Sequence, residues 1–294
     1  MALRASAVGQ NLGESVVDVT PRMTMAYAAG LGEDAECYMD DLRADGVVAP
    51  PPMCVILEWP VINGRGYREA SGTSAEEAWG SIHVLQDSRF HRLVRPGDRL
   101  RTTGRVIQVR QTSAGALMVS RLETTDTKTG APVITSWFGA IFLRMDVEGT
   151  GVALEEPPPL RTERGVPTRE AQRLVIPVGR TLPHIYTECA DIWNPIHTER
   201  KIALATKLPD IILHGTATWA LTALALIRAR GGGDPARLTR FAGRFHGMVI
   251  PGTDITIEHV SDPEHPGTAQ FVVKNAAGEL AITHGLAEFG KGAS

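Results

Sequence analysis

The feature that most constrains this chain is a ten-residue phrase that occurs twice. Arg89-Phe90-His91-Arg92-Leu93-Val94-Arg95-Pro96-Gly97-Asp98 and Arg244-Phe245-His246-Gly247-Met248-Val249-Ile250-Pro251-Gly252-Thr253 both read RFHxxVxPG, at an offset of 155 residues. Each is followed by an alternating stretch, at residues 100–106 and 255–260, and then by a strand pair around a glycine turn, at residues 117–143 and 269–289. Alternation with β-branched residues, broken by Thr-Gly or Ala-Gly, predicts antiparallel hairpins. Six identities at one offset, in matching surroundings, imply a duplicated unit.

The duplication sets the expected domains. Residues 149–168 carry three consecutive prolines, scattered charge and no apolar periodicity. Proline removes backbone donors and fixes φ, so this stretch reads as a stiff linker between an N-terminal domain, 1–148, and a C-terminal domain, 169–294. At 294 residues the chain is long enough for two medium domains. Residues 216–230 are rich in Ala and Leu, lack Gly and Pro, and run into Gly231-Gly232-Gly233. That predicts a helix of about four turns, apolar almost all round and so buried. Residues 50–62 hold the matching place in the first half, where prolines at both ends leave room only for a short helix. A buried helix followed by antiparallel strands implies a sheet wrapped around it.

Several functions are disfavoured. The net charge of −3 does not suit a surface built to neutralise a phosphate backbone. Cys37, Cys54 and Cys189 are widely spread without CxxC spacing, which argues against a disulfide framework or a thiolate zinc site. His184 and Glu188 stand four apart, but no further pattern supports a metal. Gly231-Gly232-Gly233-Asp234 follows a helix instead of opening one, and there is no GxSxG or GxxxxGK[ST]. With no apolar run of spanning length and no signal-like N-terminal segment, the expectation is a cytoplasmic protein without membrane or nucleic-acid partners.

The chemistry concentrates at Tyr186-Thr187-Glu188-Cys189-Ala190-Asp191-Ile192-Trp193-Asn194-Pro195-Ile196-His197, with Leu213-His214-Gly215-Thr216 leading into the apolar helix. Proline keeps Asn194 out of the helical region, so the turn projects His197 in a fixed direction. An imidazole titrates near neutrality, and a nearby carboxylate suits it to acid/base work.

Here the sequence resembles the MaoC-like (R)-specific enoyl-CoA hydratase family, in its double hot-dog form. The family motif, Asp-x-Asn-Pro-[Leu/Ile/Val]-His followed after a helix by His-Gly, is matched by Asn194-Pro195-Ile196-His197 and His214-Gly215. The resemblance covers the second half, and the repeat extends it to the first. It implies an α+β fold, with two antiparallel sheets each wrapped around a central helix. The implied reaction is reversible syn addition of water across the 2,3 double bond of an enoyl-CoA, with no metal or redox cofactor. His197 and Asp191 would hold the water, with Asn194 and Gly215 completing the catalytic set. Backbone N–H groups at Gly215 and Thr216 would face the thioester oxygen. His214, Thr216, Trp193, Arg244 and His246 would line the substrate.

One departure stands out: two residues, Ile192 and Trp193, separate Asp191 from Asn194, where the family has one. An extra residue turns a helical side chain by ~100° unless a bulge absorbs it, so Glu188 is the fallback carboxylate. Setting Tyr27 on Tyr186 places Tyr38 over His197 and Ala35-Glu36 over Asn-Pro, so the first half is expected to be catalytically silent.

Other readings stay open. Arg89, His91, Arg244 and His246 suit CoA phosphates or simple strand-surface pairing. Trp193 reads as a core or pocket-wall aromatic. The rival functions are a hot-dog thioesterase, an inactive acyl-thioester-binding subunit, and a dehydratase for a carrier-bound intermediate. Monomer and homodimer are both compatible with an internal pair of units.

Overall fold

Both predicted hairpins form where the glycine turns stand. Gly130 and Gly278 adopt φ of 70° and 80°, a region that costs glycine little. The computed structural model describes residues 2–74, 80–160, 165 and 171–290. Its strands are β1 (Ala2–Arg4), β2 (Asn11–Asp18), β3 (Ser81–Phe90), β4 (Arg99–Thr112), β5 (Gly115–Asp126), β6 (Pro132–Leu143), β7 (Asp146–Glu148), β8 (Val152–Ala153), β9 (Gln172–Pro177), β10 (Leu238–Phe245), β11 (Asp254–Ser261), β12 (Thr268–Lys274) and β13 (Leu280–Phe289). Its helices are α1 (Pro21–Gly30), α2 (Glu36–Met39), α3 (Cys54–Ile62), α4 (Arg65–Ser71), α5 (Leu182–Ala190), α6 (Arg200–Ala205) and α7 (Gly215–Arg230). None of the described helices is long and apolar enough to cross a membrane.

The chain divides into two compact units. The first comprises Met1–Asp18, Leu57–His91 and Arg99–Pro159; the second comprises Val19–Ile56, Arg92–Asp98 and Leu160–Ser294. This departs from a division at residue 148, because α1 and α2 join the second unit. The reason is packing: α1 lies against α5, with the buried rings of Tyr27 and Tyr186 5.9 Å apart. The linker also differs from expectation. Val152–Ala153 adds to β4 as a short strand, and Glu155 and Glu156 bond Arg121 and Gln108. Of the remaining linker positions, 161–164 and 166–168 lie outside the described residues.

In the first unit the antiparallel strands run β2-β4-β5-β6-β3. Val61 of α3 packs over Gly104 of β4, where a Cβ would come within 2.8 Å of both Val61 and Leu122. The absence of a side chain is what lets this helix approach the sheet. Around it Tyr67, Phe138, Phe142, Met118 and Leu12 form the buried core.

In the second unit the antiparallel order is β10-β13-β12-β11-β9. Helix α7 is buried from Ala217 to Ile227, as its uniform apolarity predicts. Trp219 of α7 packs on Phe241 of β10 at 4.9 Å, and Phe241 stacks on Phe271 of β12 at 5.0 Å. The helix stops at Gly231, and Gly232 and Gly233 turn the chain at φ of 66° and 80°.

The repeated phrase has one structural meaning in both copies. Gly97 and Gly252 adopt φ of 91° and 87°, and each closes the same pair of backbone bonds. Gly97 N–H donates to Val19 and Val19 N–H to Asp98; Gly252 N–H donates to Val178 and Val178 N–H to Thr253. Pro-Gly therefore makes a turn that anchors the strand ahead of each helical segment.

Gly285 of β13 pairs with Phe271, and a Cβ there would collide with the Phe271 carbonyl and ring. Gly285→Ala is expected to cost about 1–3 kcal/mol by overpacking. Urea unfolding should show a lower midpoint with an unchanged m value.

Candidate active site

The site is assembled from the end of α5, the Asn-Pro turn and the start of α7, all in the second unit. Asn194 caps the turn Pro195–His197: its backbone is extended, at φ −147°, and its side chain accepts from the Ile196 N–H at 3.3 Å. Its amide thus shapes the backbone that carries the imidazole. The His197 N–H also donates to the Asn194 carbonyl at 3.1 Å.

The His197 ring is fixed by a second bond. Its Nδ1 lies 2.8 Å from the Ile212 carbonyl. A carbonyl can only accept, so Nδ1 carries the proton and Nε2 keeps its lone pair. That lone pair meets no hydrogen-bond donor among the described residues. Burial pushes the His197 pKa down to about 4, outweighing the Ile212 bond that favours the cation. At neutral pH the ring is an uncharged base with one defined tautomer.

His214 backs it. The two imidazoles stack with centroids 3.7 Å apart and planes at 27°. His214 is 2% exposed, its Nε2 is hydrogen-bonded to the Thr187 hydroxyl at 3.2 Å, and its ring lies 5.0 Å from that of Tyr186. Burial, and then the neighbouring His197, hold His214 well below the ordinary histidine pKa, so it too stays neutral. It lies behind the His197 ring, immediately ahead of the helix.

At the start of α7 the Ala217 and Thr218 N–H groups donate to the His214 carbonyl, while those of Gly215 and Thr216 have no acceptor among the described residues. Gly215 is exposed, and a Cβ on it would press within 3.2 Å of the Phe245 ring. Two unpaired donors at the positive end of a 16-residue helix, beside a neutral imidazole, form a cradle for developing negative charge.

The carboxylates sit differently. Helix α5 ends at Ala190, and Asp191 takes a left-handed conformation at φ 51°, ψ 38°. The Thr187 carbonyl accepts from both the Asp191 and Ile192 N–H groups, the second over five residues. This turn stands where the extra residue between Asp191 and Asn194 falls. Asp191 and Glu188 are both exposed, and neither side chain is hydrogen-bonded to His197. Trp193 is 49% exposed, so of the two expectations, core or pocket-wall aromatic, the core one does not hold. Arg244 and His246 are exposed at the end of β10. Arg89 lies over the Trp137 ring at 5.5 Å, and His91 bonds Thr135, both contacts being within the first unit. His184 bonds the Thr198 carbonyl at 3.1 Å.

The model of the "MaoC like domain" matches residues 171–278, and that of the "FAS1-like, dehydratase domain region" matches residues 6–136. The C-terminal part of the chain thus carries a MaoC-like domain, and the N-terminal part a FAS1-like dehydratase region. A Mycobacterium tuberculosis relative, 3-hydroxyacyl-thioester dehydratase Y, is 25% identical over 294 residues, covering 96% of this chain and 94% of the relative. A MaoC-like dehydratase structure from Phytophthora capsici superposes with a TM-score of 0.82 at 19% identity, covering 97% of each chain. Another structure, from Mycobacterium tuberculosis and described as a double hotdog fold, superposes with a TM-score of 0.60 at 14% identity over 96% of each chain. At such identities the structural likeness speaks to fold alone, and that fold is the double hot-dog of the MaoC-like proteins.

Within the chain the two repeats match in the backbone bonds that frame the site. Val48 N–H donates to Cys37 and Ala49 N–H to Val94, as Ile212 N–H donates to Ile196 and Leu213 N–H to Val249. The Met53 N–H donates to Pro50 as Ala217 N–H does to His214. Tyr38 therefore stands at the His197 position and Pro50 at that of His214. Pro51 and Pro52 replace Gly215 and Thr216. Proline has no N–H, so the first repeat lacks both the base and the two free donors. Sequence reasoning found His197, Asn194, His214 and Gly215, but not the Ile212 carbonyl or Thr187. A backbone acceptor leaves no residue-type signal, and Thr187 lies in the chemical segment without a motif to mark it.

The His197 ring is expected to titrate near pH 4 by NMR, against 6.5 for an ordinary histidine. Folding favours its neutral form, so its contribution to stability is complete above pH 6.5 and is lost as the pH falls through about 4.

Proposed function

We propose that this MaoC-like protein adds water reversibly across the 2,3 double bond of an enoyl-CoA, giving a 3-hydroxyacyl-CoA. The observation that carries the reading is the His197 Nδ1–H bond to the Ile212 carbonyl, which leaves Nε2 basic beside the free N–H groups of Gly215 and Thr216. The dehydratase named among its relatives supports the same reaction class.

The steps follow from the donors and acceptors present. Nε2 of His197 takes a proton from water as the oxygen attacks C3. Charge moves through the conjugated system to the thioester oxygen, which accepts from the Gly215 and Thr216 N–H groups. The imidazolium then returns a proton to C2 on the same face, and the ring is again neutral. Dehydration is the reverse. No metal or redox centre enters this scheme. The first repeat, with Tyr38 and Pro51-Pro52 in the corresponding places, is the non-catalytic one.

Asp191 is proposed as the carboxylate that shares the water with His197. A non-glycine residue in the left-handed region costs about 1 kcal/mol or more, and such conformations cluster at functional sites. Here the conformation ends α5 and leaves the Asp191 carboxylate exposed, with no hydrogen bond to another described residue.

Incubation with crotonyl-CoA, following enoyl absorbance and thiol release together, tests the reaction. Loss of the enoyl absorbance without free thiol is the expected result. Release of thiol would identify a thioesterase, and no change with either readout would identify a binding protein. His197→Gln should lower kcat by about 10²–10⁴-fold with an unchanged circular dichroism spectrum, since it removes the base. Asp191→Asn should reduce kcat by more than about tenfold, and Glu188→Gln should leave it within about threefold; the reverse order would transfer the role to Glu188.

A further inference from the structure

A tyrosine pair at the heart of the second unit has no part in the steps above. Tyr27 and Tyr186 occupy matching places in the two repeats, are both fully buried, and touch through their hydroxyls at 3.5 Å. Each hydroxyl reaches the start of its own repeat's central helix. Tyr27 donates to the Pro52 carbonyl at 2.9 Å. Tyr186 has the side chain of Thr216 as its hydrogen-bonding neighbour. Pro52 and Thr216 are equivalent positions, so one device has two different ends. In the silent repeat it terminates on the carbonyl of a residue with no N–H. In the other it terminates on a residue whose free N–H faces the proposed oxyanion.

Tyr186 also touches the other half of the site. Its ring packs on His214 at 5.0 Å, and His214 stacks on His197 at 3.7 Å. One buried side chain therefore abuts both the base and the donor turn. Burial holds its phenol protonated, with the pKa pushed up to about 12. It acts as a fixed hydrogen-bonding post and exchanges no proton with substrate.

We infer that Tyr186 is a positioning residue for the hydration reaction, holding the Thr216 end of the donor turn through its hydroxyl and the His214–His197 stack through its ring. The inference rests on the proposed hydratase reading. It differs from a packing role, which Tyr27 fills equally well.

The test compares Tyr186→Phe, Tyr186→Leu and Tyr27→Phe in the full-length protein. Steady-state hydration of crotonyl-CoA is measured alongside thermal unfolding and the NMR titration of His197. Tyr186→Phe should lower kcat about tenfold with KM within about twofold, because a misplaced oxyanion donor weakens the transition state more than the bound substrate. Its His197 titration should be unchanged, since the ring remains. Tyr186→Leu should in addition move the His197 midpoint up from about 4 toward 6.5, as packing around the stack is lost. Tyr27→Phe should lower the melting temperature about as much as Tyr186→Phe while leaving kcat within twofold of wild type. Equal kcat for wild type and Tyr186→Phe, or equal losses in Tyr186→Phe and Tyr27→Phe, would overturn the hydroxyl's role. An unmoved His197 titration in Tyr186→Leu would overturn the ring's role. A wild-type protein that hydrates no enoyl-CoA would instead overturn the underlying reaction and the hydroxyl's role with it, while the titrations would still decide the ring's.

Discussion

The site depends on one bond, from Nδ1–H of His197 to the carbonyl of Ile212. It selects the tautomer, leaves Nε2 with its lone pair, and does so with no carboxylate bonded to the ring among the described residues. Its geometry is secured by the backbone on both sides. Ile212 N–H returns to Ile196, and Leu213 N–H is tied to Val249 in the segment after the repeated RFH phrase. Val249 thus fixes the stretch from which the acceptor is presented. The same stretch leads into His214 and the first turn of α7, so the anchor of the base and the two donors share one short segment of chain.

The same frame is built twice, and the two copies differ at the residues proposed to act on substrate. Around Tyr38 the backbone bonds repeat those around His197, yet four positions differ in the groups they offer. Tyr38 replaces the imidazole, Pro50 removes the stacked partner, and Pro51-Pro52 eliminate the two donors. The buried Tyr38 phenol, held well above its ordinary pKa by desolvation, is no substitute base. Fold and function are separable here at the level of a few side chains.

Burial explains the electrostatics of the active copy. A charged imidazole beside a second imidazole in an apolar setting is disfavoured, so both histidines stay neutral at working pH. A neutral base can take a water proton without first losing one. In the proposed hydration the cation it becomes is discharged to C2. Opposite it, the free N–H groups at the start of α7 provide partial positive charge that needs no reorganisation.

Much of this was legible in the residues themselves. The offset of the RFHxxVxPG phrases, the glycine turns of both hairpins, the apolar run of α7 and the Asn-Pro turn before His197 are local signals, because turn chemistry and side-chain periodicity act over a few residues. Other facts required the folded chain. The membership of α1 and α2 in the second unit follows from contacts between residues some 160 positions apart, such as Tyr27 with Tyr186. The left-handed turn at Asp191, the exposure of Trp193, the stack of His197 on His214 and the choice of the Ile212 carbonyl as anchor were likewise decided by tertiary structure. Local sequence can specify that a turn occurs, but only packing determines which backbone oxygen or ring lies across from it.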